Sequence, residues 1–299
     1  MTDTHIDSPG VETPSGKGAG DENFPVGSWL LPAALRPHVA TYYAFARAID
    51  DIADNPALAP DDKIARLSAF EDALLDPAAD RPGLEKASRL RESLAATGVP
   101  SVRGTDLVAA FKQDAVKQRY ADWSELLGYC RLSANPVGCY LLDLHGEDPA
   151  GYAASDALCT ALQILNHLQD CQDDHRELDR VYLPADWLAA EGLDVAMLQQ
   201  RSSPAGFRRV LDRCLDGVDG LLADATQLPG QLRSARLAME SAVIVQLARR
   251  LAARLRAGDP LAGRVALSRG DFASCGLKGI CGVQANRLFG RRQPAGERG

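Results

Sequence analysis

The sequence predicts an all-α protein, and three observations support this fold class. Apolar residues recur at spacings of three and four along most of the chain, as they do on one face of a helix. Alternation of apolar and polar residues, which is typical of strands, is hardly seen, and proline or glycine separates the periodic segments. Because the linkers are mostly short and no long repeat is present, we expect one helical domain.

This pattern predicts nine helices, and proline affects the end of the first helix and the course of the fifth. The first helix ends at Asn55-Pro56, and Asn135-Pro136 should kink the fifth, since proline lacks an N–H and clashes with the preceding turn. Residues 1–20 and 290–299 contain few large apolar side chains, so we expect disordered tails on either side of a domain at 21–289. The predicted helices span residues 33–55, 61–75, 84–97, 105–119, 122–145, 152–177, 204–226, 231–257 and 271–289.

Composition and short motifs exclude several classes of function. The formal net charge of −7 argues against a nucleic-acid partner bound through a basic surface. No phosphate-binding loop or dinucleotide-binding turn is found, so we expect no NADPH. The seven cysteines include no C-x-x-C pair and are predicted to be reduced and mostly buried. Without a membrane-spanning run or a signal pattern, the sequence predicts a cytoplasmic protein.

One row of polar residues runs along the first predicted helix. Tyr43, Arg47, Asp50 and Asp54 are spaced i, i+4, i+7 and i+11, which places them on one stripe roughly 16 Å long. Asp51 lies about 100° around the helix from Asp50, so it either supports the row from behind or faces solvent. The row ends where the helix ends.

A matching row runs along the helix predicted at 152–177. Gln163, Asn166, Asp170 and Asp174 are spaced i, i+3, i+7 and i+11, again on one stripe. Asp173 is a weaker candidate for the site. His167 lies off the stripe, and we expect it to pack in the core or to contact a ligand residue without binding the metal. Two helices thus carry similar polar rows among apolar neighbours.

These carboxylates predict a magnesium site. They lie toward the C-terminal ends of their helices, where the macrodipole is negative and a cation is needed to compensate. Mg²⁺ takes one or two carboxylates, keeps several waters and completes its shell with phosphate oxygens. A single D-x-x-x-D is more often a solvated helix end, but two matched rows favour a diphosphate held between metal ions. A di-iron bundle would need Glu-x-x-His pairs, and the chain has none.

The chain resembles the squalene/phytoene synthases over roughly residues 23–284. Besides the two rows, the matching motifs are Leu30-Leu31-Pro32, Asp114 with Arg119-Tyr120, Tyr129-Cys130, Val137-Gly138 and Arg180-Val181-Tyr182-Leu183-Pro184. The resemblance implies an isoprenoid synthase fold, a helical bundle around a central cavity. It also implies a prenyl diphosphate substrate and two or three Mg²⁺ ions.

Within that family the chain is most similar to the bacterial branch that converts presqualene diphosphate and water to hydroxysqualene in hopanoid biosynthesis. The similar runs are 22–26, 129–138 and 165–171. Gln169 stands where condensing members typically carry arginine, which removes a fixed cation beside the second row. Asn135-Pro136 replaces a small pair that contains glycine, and the Asn135 amide is a candidate for orienting the water.

The resemblance and the polar rows together assign roles to individual residues. Aromatic Phe24 and Tyr43 would stabilise a carbocation through their ring faces or would simply pack in the core. The candidate catalytic residues are Tyr43, Arg47, Asp50, Asp54, Tyr129, Asn135, Asp170 and Asp174. The candidate substrate-binding residues are Phe24, Arg47, Gln163, Asn166 and Tyr182. The candidate metal ligands are Asp50, Asp54, Asn166, Asp170 and Asp174.

Two other functions remain open at this point. A condensing synthase would join two prenyl diphosphates to presqualene diphosphate, squalene or phytoene with the same metal site. A non-catalytic subunit would bind lipid or hold pathway partners, which include enzymes that supply presqualene diphosphate and reduce hydroxysqualene. The apolar substrate is compatible with peripheral contact at the inner face of the membrane. The segment 243–255 joins apolar residues to arginines, although a core-facing helix has the same pattern.

Overall fold

The computed structural model describes residues 11–12 and 31–289, and within these ranges the fold is all-α as predicted. The α-helices α1 to α12 span Arg36–Asp54, Pro60–Leu75, Glu85–Thr97, Val102–Asp114, Trp123–Ser133, Asn135–Leu144, Tyr152–Leu178, Ala185–Ala190, Ala205–Ala225, Leu228–Gln231, Ala235–Ala257 and Arg269–Phe289. Two short strands, β1 at Arg119–Tyr120 and β2 at Val181–Pro184, pair in parallel.

The predicted helices are present, with three differences in their extent. The helix predicted at 105–119 begins earlier and ends at Asp114, because the following residues enter β1. The helix predicted at 122–145 is interrupted at Ala134, whose φ of −123° is not helical, and Pro136 lies in the first turn of α6. The helix predicted at 231–257 is α11, which begins four residues later, and the short helices α8 and α10 had no counterpart in the prediction.

The helices form two groups on either side of a cavity. In one group α1 packs against α2, α3 and α4, with Phe45, Ile49 and Ile52 fully buried. In the other, α7 packs against α5, α6, α9 and α11 through an apolar face that includes Ile164 and Leu168. Each of these two helices therefore buries its apolar face and leaves its polar row toward the cavity.

The predicted tails fall almost entirely outside the described residues. Of the first twenty residues only Val11 and Glu12 are described, and they contact Arg66 and Lys86. Residues 290–299 lie outside the description, so the domain boundaries at 21 and 289 remain predictions. Across residues 31–289 we find no helix with the length and apolar character to cross a membrane.

The seven thiols and the segment 243–255 agree with the sequence predictions. All seven cysteines are free, and five of them are buried. The apolar residues of α11, including Val245 and Leu251, are buried in the core. Its arginines Arg250 and Arg254 form ion pairs with Asp271 of α12, at 3.4 and 2.5 Å. This helix is therefore a core helix, which was the preferred interpretation of its pattern.

We expect Gly279→Ala to destabilise the fold by about 1–3 kcal/mol, because overpacking a close contact costs that much. A Cβ at Gly279 would lie 2.7 Å from the backbone nitrogen of Val243, so α11 and α12 would have to separate. Gly282→Ala on the same helix is the matched control, since its Cβ would meet nothing within 4 Å. Urea unfolding should show a lower midpoint for the first variant and an equal or higher one for the second.

Candidate active site

A cavity of about 280 Å³ lies between α1 and α7. Its wall includes ten of the residues predicted for catalysis, substrate binding or metal binding: Tyr43, Arg47, Asp50, Asp54, Tyr129, Gln163, Asn166, Asp170, Asp174 and Tyr182. The two polar rows, separated by more than a hundred residues in sequence, therefore meet at one site. Phe24 lies outside the described residues, and Asn135 is not part of the cavity wall.

The α1 side of the cavity carries an arginine held by two acids. Arg47 contacts Asp50 at 2.8 Å through Nη1 and Asp51 at 3.1 Å through Nη2. Asp51 is buried, and it supports Arg47 from behind the row. The α1 helix ends at Asp54 because Asn55 precedes a proline and takes an extended conformation. This end places the last carboxylate of the row beside the cavity.

The α7 side of the cavity carries the second row, and the neighbouring Asp173 faces the protein surface instead. Gln163, Asn166, Asp170 and Asp174 all line the cavity. Asp173, the weaker candidate, is about half exposed and pairs with the exposed Arg176 at 2.6 Å. Asp173 is therefore a surface residue and does not join the row.

The facing carboxylates repel one another. Burial, followed by the charge of Asp54, raises the pKa of Asp50 well above its usual range. Burial, followed by the charges of Asp170 and Asp54, raises the pKa of Asp174 to about 8. Because Asp54 acts on Asp174 from the opposite side of the cavity, the two rows share one electrostatic field. Such a field favours binding of a cation.

The donor set fits Mg²⁺ bound together with a phosphate ligand. Among residues 31–289 we find no three His, Cys, Asp or Glu side chains gathered closely enough to form a complete metal site. Mg²⁺ needs no such cage, since it usually takes one or two carboxylates and fills its shell with water and phosphate oxygens. Aspartates spread along two facing helices suit this coordination of Mg²⁺, whereas a structural zinc site would require four converging ligands.

A buried carboxylate that the sequence analysis did not select lies at the inner end of the cavity. Asp114 is only 2% exposed and accepts hydrogen bonds from Tyr129 at 2.6 Å and Tyr182 at 3.1 Å. Burial raises its pKa to about 6, although the charge of Arg180 opposes the shift. The two tyrosines, predicted as site residues, are thus fixed by one acid at the end of α4.

Arg180 is the second residue of the site that the sequence analysis named only within a family motif, without assigning it a role. Its side chain is buried and donates to Asp54 Oδ1 at 2.5 Å and to the Ala53 carbonyl at 2.9 Å. Asp179 ends α7 in the left-handed conformation, with φ of 51°, and this reversal returns the chain toward α1. The pairing of β2 with β1, through a bond of 2.9 Å from the Val181 N–H to the Gln118 carbonyl, holds the segment. The available signal was its place at the start of the run 180–184, which resembles the family motif.

A third arginine reaches the second row from the segment between α11 and α12. Arg264 lies 3.6 Å from Asp170. Gln169 turns away from the cavity, and its amide donates to the Val265 carbonyl at 2.6 Å, so it holds the segment that carries Arg264. Arg264 therefore places a positive charge beside Asp170 of the second row.

Asn135 and His167 are both buried close to the cavity. The side-chain oxygen Oδ1 of Asn135 accepts a hydrogen bond from the Thr160 hydroxyl at 2.9 Å, so the prediction that Asn135 orients water rests on the sequence alone. His167 lines the cavity, with its ring stacked on Tyr182 at 3.7 Å between centroids. Burial, followed by the charge of Arg180, lowers the pKa of His167 to about 3, which keeps the imidazole neutral.

Comparison with known proteins places this site in a family. The model of the squalene/phytoene synthase family matches residues 18–271. A hydroxysqualene synthase from Rhodopseudomonas palustris is 42% identical over 285 residues, which are 94% of this chain and 95% of the relative. A hydroxysqualene synthase from Sinorhizobium fredii is 39% identical over 271 residues, covering 91% and 92% of the two chains.

A solved structure supports the same assignment. The squalene synthase from Alicyclobacillus acidocaldarius superposes with a TM-score of 0.69 at 32% identity, covering 78% of this chain and 87% of that one. The superposition and the family match agree with the helical fold. The chain therefore belongs to the squalene/phytoene synthase family and is an enzyme of the isoprenoid synthase fold.

Proposed function

We propose that the protein is a Mg²⁺-dependent hydroxysqualene synthase, which converts presqualene diphosphate and water to hydroxysqualene and diphosphate. The observation that carries this proposal is the single cavity in which two aspartate rows face each other beside three arginines. The similarity to relatives named hydroxysqualene synthase selects this reaction among those of the family.

The metal ligands would be Asp50 and Asp54 from α1 with Asn166, Asp170 and Asp174 from α7. When bound there, Mg²⁺ supplies positive charge that stabilises the negative charge developing on the departing diphosphate. The helices fix these side chains before substrate arrives, so little reorganisation is needed when the carbon–oxygen bond breaks. Repulsion among the free carboxylates is relieved in the same step that forms the complex.

The arginines provide fixed positive charge around the same diphosphate. Arg47 lies in the first row, Arg180 lies at its end beside Asp54, and Arg264 lies beside Asp170. Guanidinium groups donate paired hydrogen bonds to phosphate oxygens and keep their charge at any physiological pH. Three such groups from separate segments would orient one diphosphate, which suits a substrate with a single diphosphate group.

Apolar and aromatic side chains also contribute to the cavity wall. Ala46, Phe111 and Leu178 contribute apolar surface, and Tyr43 contributes a ring. After diphosphate departs, such a wall would shield the carbocation from solvent, and the Tyr43 ring face would stabilise it. Phe24 is proposed for the same role on the basis of sequence alone. Rearrangement of the cyclopropylcarbinyl cation would then precede capture by water.

The test is to incubate the protein and Mg²⁺ separately with presqualene diphosphate and with farnesyl diphosphate, without NADPH, and to identify products by mass spectrometry. We expect hydroxysqualene from presqualene diphosphate and no condensation of farnesyl diphosphate. Formation of presqualene diphosphate from farnesyl diphosphate would instead establish the condensing function. Absence of turnover with either substrate would favour a non-catalytic lipid-binding or scaffold subunit.

The chemistry of the substrate and product also suggests the surroundings of the enzyme. Both carry a thirty-carbon hydrocarbon, so we propose peripheral contact with the inner face of the membrane in the cytoplasm. Enzymes that supply presqualene diphosphate and that reduce hydroxysqualene would be its neighbours in the pathway. NADPH would belong to the reducing neighbour and would not be needed here.

A further inference from the structure

Among residues 31–289, two uncharged side chains that line the cavity each carry a buried polar atom without a hydrogen-bond partner. The atoms are Ser133 Oγ and His167 Nε2. Leaving a buried donor or acceptor without a partner costs about 1–3 kcal/mol, and nearly all such atoms in native proteins are satisfied by protein or by ordered water. Two of them at one cavity indicate a place for a small polar ligand.

Ser133 of α5 and His167 of α7 both line the cavity. Ser133 follows Tyr129 by one turn of α5, so both side chains lie on the same face of that helix. The Tyr129 ring lies 6.0 Å from the His167 ring, measured between centroids. The α5 and α7 helices pack against each other, which brings these faces together.

The ring of His167 is held in place from one side. Its plane lies within 13° of the plane of the Tyr182 ring, and the Tyr182 hydroxyl is in turn fixed by Asp114. The imidazole cannot swing freely, so a water bound to it would have a defined position. His167 also precedes Asp170 by three residues, about 4.5 Å along the helix axis, which places the ring next to the metal-binding row.

We propose that Ser133 and His167 bind the water molecule whose oxygen becomes the hydroxyl group of the product. This inference rests on the proposed function. In the capture step a lone pair of the water oxygen forms the new carbon–oxygen bond to the rearranged carbocation. The water loses one proton to an oxygen of the released diphosphate, and no oxidant or reductant is consumed. The hydroxyl and the imidazole hold the water by hydrogen bonds until the cation forms.

The alternative fate of the cation makes the proposal measurable. A carbocation that meets no positioned water loses a neighbouring proton and leaves as a hydrocarbon alkene. The ratio of alcohol to alkene among the products therefore reports water positioning, and it is independent of the amount of folded enzyme and of the rate of ionisation.

The experiment uses the full chain with Mg²⁺ and presqualene diphosphate in water enriched in the oxygen-18 isotope. The variants are Ser133→Ala, His167→Phe, which keeps an aromatic ring on Tyr182, and the double variant. The matched controls are Ser241→Ala, a buried serine of α11, and His145→Phe, whose Nε2 is also buried without a partner but which does not line the cavity. Products are separated and quantified by gas chromatography with mass spectrometry.

We expect the alcohol-to-alkene ratio to fall about tenfold in each single variant and further in the double variant, as loss of one hydrogen bond implies. The controls should keep the wild-type ratio. An unchanged ratio in the double variant would overturn the water site while leaving the proposed function intact. Complete loss of all products in both single variants would also overturn it, because the residues would then act on ionisation. If only Asn135→Ala changed the alcohol-to-alkene ratio, Asn135 would be the residue that positions the water, and the assignment to Ser133 and His167 would be wrong.

Failure of the proposed function gives a different result in the same assay. If the wild-type protein forms no oxygen-18 alcohol from presqualene diphosphate, the reaction itself is wrong before any variant is compared. If the wild type forms the labelled alcohol and the variants do so in the same proportion, only the assignment of the water site is wrong.

Discussion

The variant Asp174→Asn should release diphosphate from presqualene diphosphate about 10²–10³ times more slowly than the wild type, the loss typical when one group that stabilises transition-state charge is removed. Asp174 lines the cavity, and its charge is already opposed by Asp170 and Asp54. Replacing it with a neutral amide of the same shape removes a metal ligand and, above the raised pKa of about 8, also relieves that repulsion. We therefore expect lower activity together with an equal or higher melting temperature in the metal-free protein.

The control for this variant is Asp173→Asn. Asp173 is adjacent in sequence, about half exposed and paired only at the surface with Arg176, so its removal should change the rate by less than about threefold. Diphosphate release is followed with a coupled phosphate assay and melting by circular dichroism in the presence of EDTA. Equal rate losses in the two variants, or a lower melting temperature for Asp174→Asn, would contradict the arrangement described for the second row.

The variant Arg180→Met should lower the free energy of unfolding by about 2–3 kcal/mol, because it removes a buried guanidinium and its charged hydrogen bond to the partly exposed Asp54. The buried guanidinium bonds Asp54 and the Ala53 carbonyl, and its charge also opposes the unfavourable burial of Asp114. The same change should slow diphosphate release, since the end of the first row loses its fixed cation. Arg180→Lys should not restore the wild type, because an ammonium group cannot make both bonds in the same geometry.

Arg176→Met provides the comparison for Arg180→Met. Arg176 is exposed and pairs with Asp173 and Glu177, at 2.6 and 2.8 Å, so its loss should cost at most about 1 kcal/mol. Urea unfolding monitored by fluorescence gives both free energies. A stability loss for Arg180→Met no larger than that for Arg176→Met would show that Arg180 is not the buried anchor of the first row.

The parts of the site that the sequence predicted are those set by local geometry. Asp50 and Asp54, or Asp170 and Asp174, fall on one stripe of a helix whatever surrounds them, so spacing alone predicted each row. That the rows face each other followed from the family resemblance and from the need of the carboxylates for a shared cation. The kink predicted at Asn135-Pro136 followed from the chemistry of proline, and the structure has a full interruption there, between α5 and α6.

The parts that the sequence did not predict depend on contacts between distant segments. Arg180 reaches Asp54 only because Asp179 takes a left-handed conformation and β2 pairs with β1, and strands of two and four residues are too short to show alternation. Arg264 reaches Asp170 across more than ninety residues of intervening chain. The hydrogen bond of Gln169 to that segment could not be read from its position beside the aspartate.

The most direct test of the central claim is a crystal structure of the protein with Mn²⁺ and inorganic diphosphate, using the anomalous signal of manganese to locate the ions. The paired rows predict manganese peaks within bonding distance of carboxylates from both α1 and α7, with diphosphate between them. Manganese bound elsewhere, or to one row only with no diphosphate beside it, would contradict the account.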